Sequence, residues 1–287
     1  MFNLVNSVEE SNGLQDDLNK LFEWSEKWQL PFNLMKCKIM HFGRRNRKVI
    51  YHMGTDQRRI PIQSVESITD LRIILDNKLS FGLHVAQKAS MANRKLGMIK
   101  RTFHYLGNYS FMQLYKTIIR TSIEYCSPVW QHIYHKESDK LEKVQQRATR
   151  LVPGIRRDTY QDRLKQLQLP TLYFRRLRSA LIQVFKICSH FDNINARNLF
   201  TFVGESRTRG HKWKMNKDIS HLRIRQKFFT QNICNVWNKL PSTVIESDSI
   251  NQSRLEKHLS TSFCKFAPIV DKIIYRNTSR DTQASAL

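Results

Sequence analysis

The feature that most constrains the fold is a change in the spacing of apolar residues near Phe81. Beyond it, apolar residues recur every three or four positions, the period of an amphipathic helix: Val85, Ala89, Ala92, Leu96, Ile99 and Phe103. Before it, between residues 34 and 76, short runs alternate between apolar and polar, as strands do. The sequence therefore predicts an α+β fold, with a small antiparallel sheet followed by a mostly α-helical region.

Capping and breaking residues place the individual elements. Ser7 and Glu10 have the spacing of a capping box, which predicts an opening helix that ends near Leu30 and Pro31. Strands are predicted at 34–42, 49–53, 60–62 and 69–75. Further helices are predicted at 111–125, 141–151, 171–190, 223–239 and 251–266, with a polar loop over 192–220.

The charge of the chain indicates a polyanionic partner. The 287 residues carry a net charge of +24, and nucleic acid is the commonest partner of such a chain. Binding to a membrane surface or within a ribosome-like assembly is the alternative that charge alone leaves open. The 5 cysteines are scattered without zinc-site spacing, and no apolar run is long enough to span a membrane. We therefore expect an intracellular protein, nuclear or cytoplasmic, with no membrane partner.

A specific motif lies between Leu14 and Gly43. It reads Trp24-Ser25-x-x-Trp28, then Phe32-Asn33-x-x-Lys36-Cys37-Lys38-Ile39-Met40-His41-x-Gly43. It resembles the end of the palm in the reverse transcriptase of a non-LTR (LINE-type, jockey-like) retrotransposon. Collinear similar segments extend the resemblance over residues 12–270: 70–84, 95–101, 114–130, 142–150, 167–176 and 228–241.

The resemblance implies a domain order. It implies the end of a palm with a small sheet over 1–80, a helical thumb-like domain over 81–190, and a basic loop with C-terminal helices over 191–276. A disordered tail would follow at 277–287. One position departs from the family: Arg72 stands where its members usually have glycine, so a tight backbone position is altered.

The resemblance also implies a chemistry whose catalytic residues are not found in this chain. Polymerases of this kind hold two Mg²⁺ ions on clustered carboxylates, including an adjacent pair in a turn between apolar strands. Asp16 and Asp17 are adjacent, but their neighbours follow a helical pattern, so we interpret them as a solvated helix face. The expected function is a truncated RNA-directed DNA polymerase fragment that is inactive alone, retains no cofactor, has no catalytic or metal residues, and binds template–primer nucleic acid.

Two alternatives to a truncated polymerase remain open. The first is a non-enzymatic nucleic-acid-binding or assembly protein exapted from such an element. The second is a piece of a longer polymerase. The expected partners are the RNA or DNA backbone and the palm and fingers of a polymerase, while Mg²⁺ is expected only for the full-length enzyme.

Basic residues are the candidate binding residues. Lysines and arginines on helix faces and in the polar loop are expected to contact phosphates without reading sequence. The set is Lys88, Arg94, Lys95, Lys100, Arg101, Arg147, Arg150, Arg207, Arg209 and Lys212. Lys36 and Lys38 fall where the family places a residue near the nucleotide, and a solvated strand lysine is the alternative. Most aromatic residues are predicted to be core (Trp24, Trp28, Phe103, Phe228, Phe229, Trp237), whereas Tyr105 and Tyr109 are predicted to be exposed.

Overall fold

A computed structural model describes residues 3–43, 46–54, 59–131, 133–204, 211 and 213–245. The chain forms two compact units. The first comprises the described residues of Met1–Cys126 and Ile133–Leu172, and the second those of Ser127–His132 and Tyr173–Leu287. The predicted domain boundaries stay a prediction, and the predicted helix at 251–266 and the tail at 277–287 lie outside the described residues.

Helices dominate the described part of the chain. The strands are β1 Lys38–Ile39, β2 His52–Met53, β3 Ile60–Pro61, β4 Gln63–Ser64, β5 Ser67–Asp70 and β6 Ile73–Asp76. The α-helices are α1 Val8–Lys27, α2 Gly82–Thr102, α3 Asn108–Leu114, α4 Thr121–Glu124, α5 Ser127–Trp130, α6 His135–Thr149, α7 Tyr160–Gln166, α8 Leu172–Cys188, α9 Arg223–Lys227, α10 Phe229–Trp237 and α11 Ser242–Ile245. A π-helical turn, Tyr115–Arg120, joins α3 to α4, and 3-10 turns lie at Pro153–Ile155 and Ala196–Asn198. The predicted α+β class is confirmed.

The opening helix is capped as predicted. The Ser7 hydroxyl accepts a hydrogen bond from the Glu10 amide at 3.1 Å, and the Glu10 carboxylate accepts one from the Ser7 amide at 3.2 Å. The helix ends at Lys27, slightly before the predicted end. Gln15 holds α1 against β2 because its side chain exchanges two hydrogen bonds with the His52 backbone, at 2.8 and 2.9 Å.

The prediction of one small antiparallel sheet was wrong. The described strands form three separate pairs, and one of them, β1 with β4, is parallel. The predicted strand at 69–75 is a hairpin of β5 and β6, because the chain reverses at Leu71 and Arg72, which have φ of +44° and +67°. The turn contains no glycine, so the alternating pattern over 69–75 was interpreted as one strand.

The helical core of the first unit is built on α2 and α6. The predicted α2 stripe is buried from Val85 to Ile99, and it packs against Leu141, Val144 and Ala148 of α6. The stripe ends one position early, since Phe103 is exposed. The short helix α7 was missed because its residues are mostly polar, but Thr159 caps it by accepting a hydrogen bond from the Asp162 amide.

Beneath α6 lies a buried hydrogen-bond network. The Gln145 amide group donates to the Tyr160 hydroxyl and to the Pro170 carbonyl, both at 3.0 Å, and its oxygen accepts from the Tyr115 hydroxyl. Tyr160 also donates to Glu142, and burial together with that carboxylate raises the pKa of the Tyr160 hydroxyl. These bonds tie α6 to α7 and to the π-helical turn, so its outer face is held in place.

The second unit has its own core around α8 and α10. Val184 and Phe185 of α8 pack in one cluster with Ile233 and Trp237 of α10 and with Met215. Part of the predicted loop at 192–220 is therefore ordered, and a β-bridge joins Phe202 to Met215. The predicted helix at 223–239 is broken at Phe228, which separates α9 from α10.

The prediction that aromatic residues are core was wrong for four of the six residues. Trp237 is buried and Phe229 half-buried, but Trp24, Trp28, Phe103 and Phe228 are each more than 40% exposed. Helical spacing identifies a face, and it does not show whether another element covers that face. The exposure predicted for Tyr105 and Tyr109 is confirmed, at 76% and 78%. No described helix has the length and apolarity needed to cross a bilayer.

Candidate nucleic-acid interface

An open groove lies between α2 and α6 in the first unit. Its volume is about 590 Å³. Ala86, Ala89 and Ser90 of α2 are among the small side chains that line it. The other lining residues are polar or cationic: Asn93, Arg94, Lys140, Lys143 and Arg147. We call this the α2/α6 groove.

The groove follows from how the two helices pack. Gly82 lies beside Glu137 at one end, and Asn93 bonds to Arg147 at the other, so α2 and α6 run in the same direction. Their apolar stripes meet in the core, and the residues flanking those stripes face solvent along the seam. Small residues on α2 keep the floor low, while long cationic side chains form the rim.

The rim on α6 is a row with helical spacing. Lys140, Lys143, Arg147 and Arg150 step by three, four and three residues, so they share one flank of the helix. Arg94 and Arg101 lie seven residues apart on the facing flank of α2 and are exposed. Both helices therefore present positive charge along the same seam.

Hydrogen bonding fixes one rim residue and leaves others available. The Arg147 guanidinium donates to Asn93 Oδ1 at 3.1 Å. Lys140 lies 3.9 Å from the Glu137 carboxylate, a weak and partly exposed ion pair. Within the part of the chain that the structure describes, Arg94 and Lys143 form no ion pair or side-chain hydrogen bond.

The predicted binding residues divide into three groups. Arg94 and Arg147 line the groove, and Lys100, Arg101 and Arg150 are exposed near its far end. Lys88 and Lys95 lie on the other flank of the α2 stripe, where Lys88 is only 8% exposed. Arg207, Arg209 and Lys212 lie outside the described residues. Lys88 therefore lies apart from Arg94 and Arg147, and its predicted contact with nucleic acid stays a prediction.

Lys140 and Lys143 were missed by the sequence analysis. The signal was present, because they continue the three-and-four spacing that leads to Arg147 and Arg150. Only the apolar spacing of Leu141 and Val144 on the same helix was used to predict the helix, and the cationic spacing beside it was not. Not every arginine is exposed: Arg176 of α8 is buried, with its guanidinium 5.9 Å from the Trp130 ring centre.

The candidate nucleotide-proximal lysines lie far from this row in sequence. Lys36 is exposed in a turn before β1, and Lys38 on β1 donates to the Gln63 side chain. Asp16 and Asp17 are exposed on α1. Among the described residues, no three His, Cys, Asp or Glu side chains are grouped so that they could hold a metal ion.

Comparison with known proteins gives one informative relative. Part of the chain is similar to the probable RNA-directed DNA polymerase from transposon X-element of Drosophila melanogaster. The two are 23% identical over 151 residues, which cover 50% of this chain and 16% of that protein. No protein-family model and no solved structure matches the chain.

This similarity supports the coarser part of the sequence-based interpretation. Half of the chain is related, distantly, to a retroelement RNA-directed DNA polymerase. The chain spans about one sixth of the length of that relative. The non-LTR assignment and the palm and thumb boundaries stay predictions.

Proposed function

We propose that this chain is a nucleic-acid-binding part of a retroelement reverse transcriptase, in which the α2/α6 groove holds the sugar–phosphate backbone of RNA or DNA. The carrying observation is the row of exposed cations along a low floor of small side chains. Small residues allow the backbone to approach the helices closely, and the cations on either side neutralise its phosphates.

The dimensions of the row fit a short length of strand. From Lys140 to Arg150 the helix rises about 15 Å. Successive phosphates of one strand are roughly 3.4 Å apart along a duplex axis, so the row matches about four or five nucleotides. Lysine and arginine contacts of this kind position a backbone and do not read bases.

The charge of the whole chain supports the same partner. A net charge of +24 attracts nucleic acid by long-range electrostatics, and in this proposal the cations of the groove contact its phosphates directly. The relation to an RNA-directed DNA polymerase makes template–primer nucleic acid the proposed ligand. We assign no polymerisation step to the described residues, and primer extension with Mg²⁺ and dNTPs is the assay that would add one.

Paired variants test the groove. We expect Lys143→Gln with Arg147→Gln to weaken binding to a short labelled RNA by on the order of tenfold, measured by fluorescence anisotropy. Lys116→Gln removes one positive charge from an exposed position outside the groove, so its effect on affinity measures what each lost net charge contributes without the groove. Equal affinity of the double variant and wild type would remove the groove as the binding site.

A further inference from the structure

Lys88 occupies an unusual environment on α2. Its side chain is 8% exposed, and its Nζ lies 5.3 Å from the centre of the Tyr125 ring. The aromatic face attracts the ammonium group, but a ring quadrupole compensates only part of the hydration that a buried charge loses. The position therefore retains a cation at a cost to stability.

The charges around Lys88 are of the same sign. Burial lowers the pKa of Lys88, and the charges of Arg72 and Lys95 lower it further. Its helix neighbour His84 is buried, and burial followed by the Lys88 charge lowers the pKa of His84 to about 4, so His84 is neutral near pH 7 and does not offset the Lys88 charge. Among the described residues, no acidic side chain forms an ion pair with Arg72, Lys88 or Lys95.

Two elements carry the three cations. Arg72 is in the hairpin turn between β5 and β6, and the Tyr125 hydroxyl donates to the carbonyl of its neighbour Leu71 at 3.2 Å. Lys95 is one heptad after Lys88 on α2, and its Nζ donates to the Ile118 carbonyl at 3.3 Å. Tyr125 thus connects the turn that carries Arg72 with Lys88 on α2.

The backbone at Arg72 gives a second, independent observation. Its φ of +67° lies in the left-handed region, where a residue with a side chain costs about 1–2 kcal/mol. Glycine would remove that cost and also one of the repelling charges. A ligand bound by the Arg72 guanidinium would offset the conformational cost of an arginine at this position.

We propose that Arg72, Lys88 and Lys95, together with Tyr125, form a binding site for one phosphate group. A phosphate would offset the mutual repulsion of the three cations and replace the hydration that Lys88 lacks. The site lies on the opposite flank of the α2 stripe from the α2/α6 groove. The proposed phosphate site therefore does not depend on nucleic-acid binding at the groove.

Inorganic phosphate is the probe for the first experiment. At constant ionic strength, with chloride as the exchanged anion, phosphate at ten times its Kd raises the Tm of the full chain by about 3–5 °C. Arg72→Gly and Lys88→Met each abolish that rise. Lys88→Met also leaves the Tm without phosphate equal to or above that of wild type, because it removes the buried charge and keeps the side-chain length.

The controls separate this site from general anion effects and from misfolding. Lys143→Gln, in the groove, keeps the full phosphate response. Arg72→Gly changes an exposed turn residue, so it tests the site even where Lys88→Met fails to fold. A wild type without a phosphate response, or an equal response in Arg72→Gly, overturns the proposal.

A second experiment distinguishes the source of the phosphate. Where it belongs to a nucleic-acid backbone, Arg72→Gly weakens binding of a short single-stranded RNA several-fold. Where it belongs to a small phosphorylated ligand, Arg72→Gly leaves RNA affinity unchanged and loses only the response to inorganic phosphate. Loss of RNA binding in groove variants alone, with the phosphate response intact, bears on the proposed function and not on this site.

Discussion

The two flanks of α2 carry the same kind of residue in opposite surroundings. On the groove flank, Arg94 and Arg101 are exposed, and water screens their charge. On the buried flank, Lys88 is enclosed beneath Tyr125 and lies near Arg72 and Lys95. A cation on the first flank costs little and is available to any polyanion. A cation on the second lowers stability until a specific anion compensates it.

The comparison shows that a basic helix is not one surface. The core stripe from Val85 to Ile99 divides α2, and the elements that pack on either side of that stripe decide which lysines reach solvent. The number of basic residues in the sequence predicts that nucleic acid is attracted. Burial predicts which of these residues lower the free energy of unfolding when no anion is bound.

The largest expected effect comes from the packing that both flanks share. Leu141 is fully buried in the α2–α6 contact, so Leu141→Ala should lower the free energy of unfolding by about 3–4 kcal/mol. RNA binding at the groove and the phosphate response at the Lys88 site should both be lost in this variant. Urea denaturation measures the change, and Leu83→Ala on the exposed side of α2 is the control, expected within about 0.5 kcal/mol of wild type. Equal stabilities would show that the α2–α6 contact is not the core of this unit.

The next effect is a pH dependence confined to the buried flank. His84 is buried and accepts a hydrogen bond from the Ile74 amide at 3.2 Å, and burial, then the Lys88 charge, lowers its pKa from 6.5 to about 4. Because the unfolded chain binds this proton more readily, stability is complete above about pH 6.5 and falls as the pH drops towards 4. The loss amounts to at most roughly 3 kcal/mol.

His84→Gln isolates this group from the other titrating residues. Glutamine retains an acceptor for the Ile74 amide and does not titrate. We therefore expect the difference in unfolding free energy between wild type and variant to change across this pH interval, as measured by urea denaturation. Parallel pH profiles would show that His84 does not become harder to protonate on folding.

A smaller effect is expected at the hairpin turn. Arg72→Gly should be more stable than Arg72→Ala by about 1 kcal/mol, because both variants remove the charge and only glycine relieves the positive φ. Thermal unfolding in phosphate-free buffer measures the difference. Identical Tm values for the two variants would contradict the left-handed conformation at this position.

The sequence predicted helices more successfully than strands, for a physical reason. A helix is stabilised locally, so the stripe from Val85 to Ile99 is visible in the sequence. The strands at 38–76 pair with residues that are not adjacent in sequence, so the local pattern does not show the pairing. The strand Gln63–Ser64 is polar and lacks the apolar alternation that predicts a strand. The reversal at Leu71 and Arg72 has no glycine to mark it.

The candidate site was predicted in part. The exposed cations Arg94 and Arg147 follow from charge and helical spacing, and the same spacing contains Lys140 and Lys143. The burial of Lys88 was not visible, because it depends on Tyr125, which lies far along the chain. The exposure of Trp24 and Trp28 was likewise hidden, since periodicity does not reveal whether another element covers a face.

The salt dependence of RNA binding tests the central claim most directly. Each phosphate neutralised on a single strand contributes about 0.7 to the slope of log Kobs against log salt. Replacing Arg94, Lys143 and Arg147 by glutamine should therefore make the slope shallower by about 2, since three contacts are lost. A triple variant that binds with the slope of wild type would contradict the groove as the nucleic-acid interface.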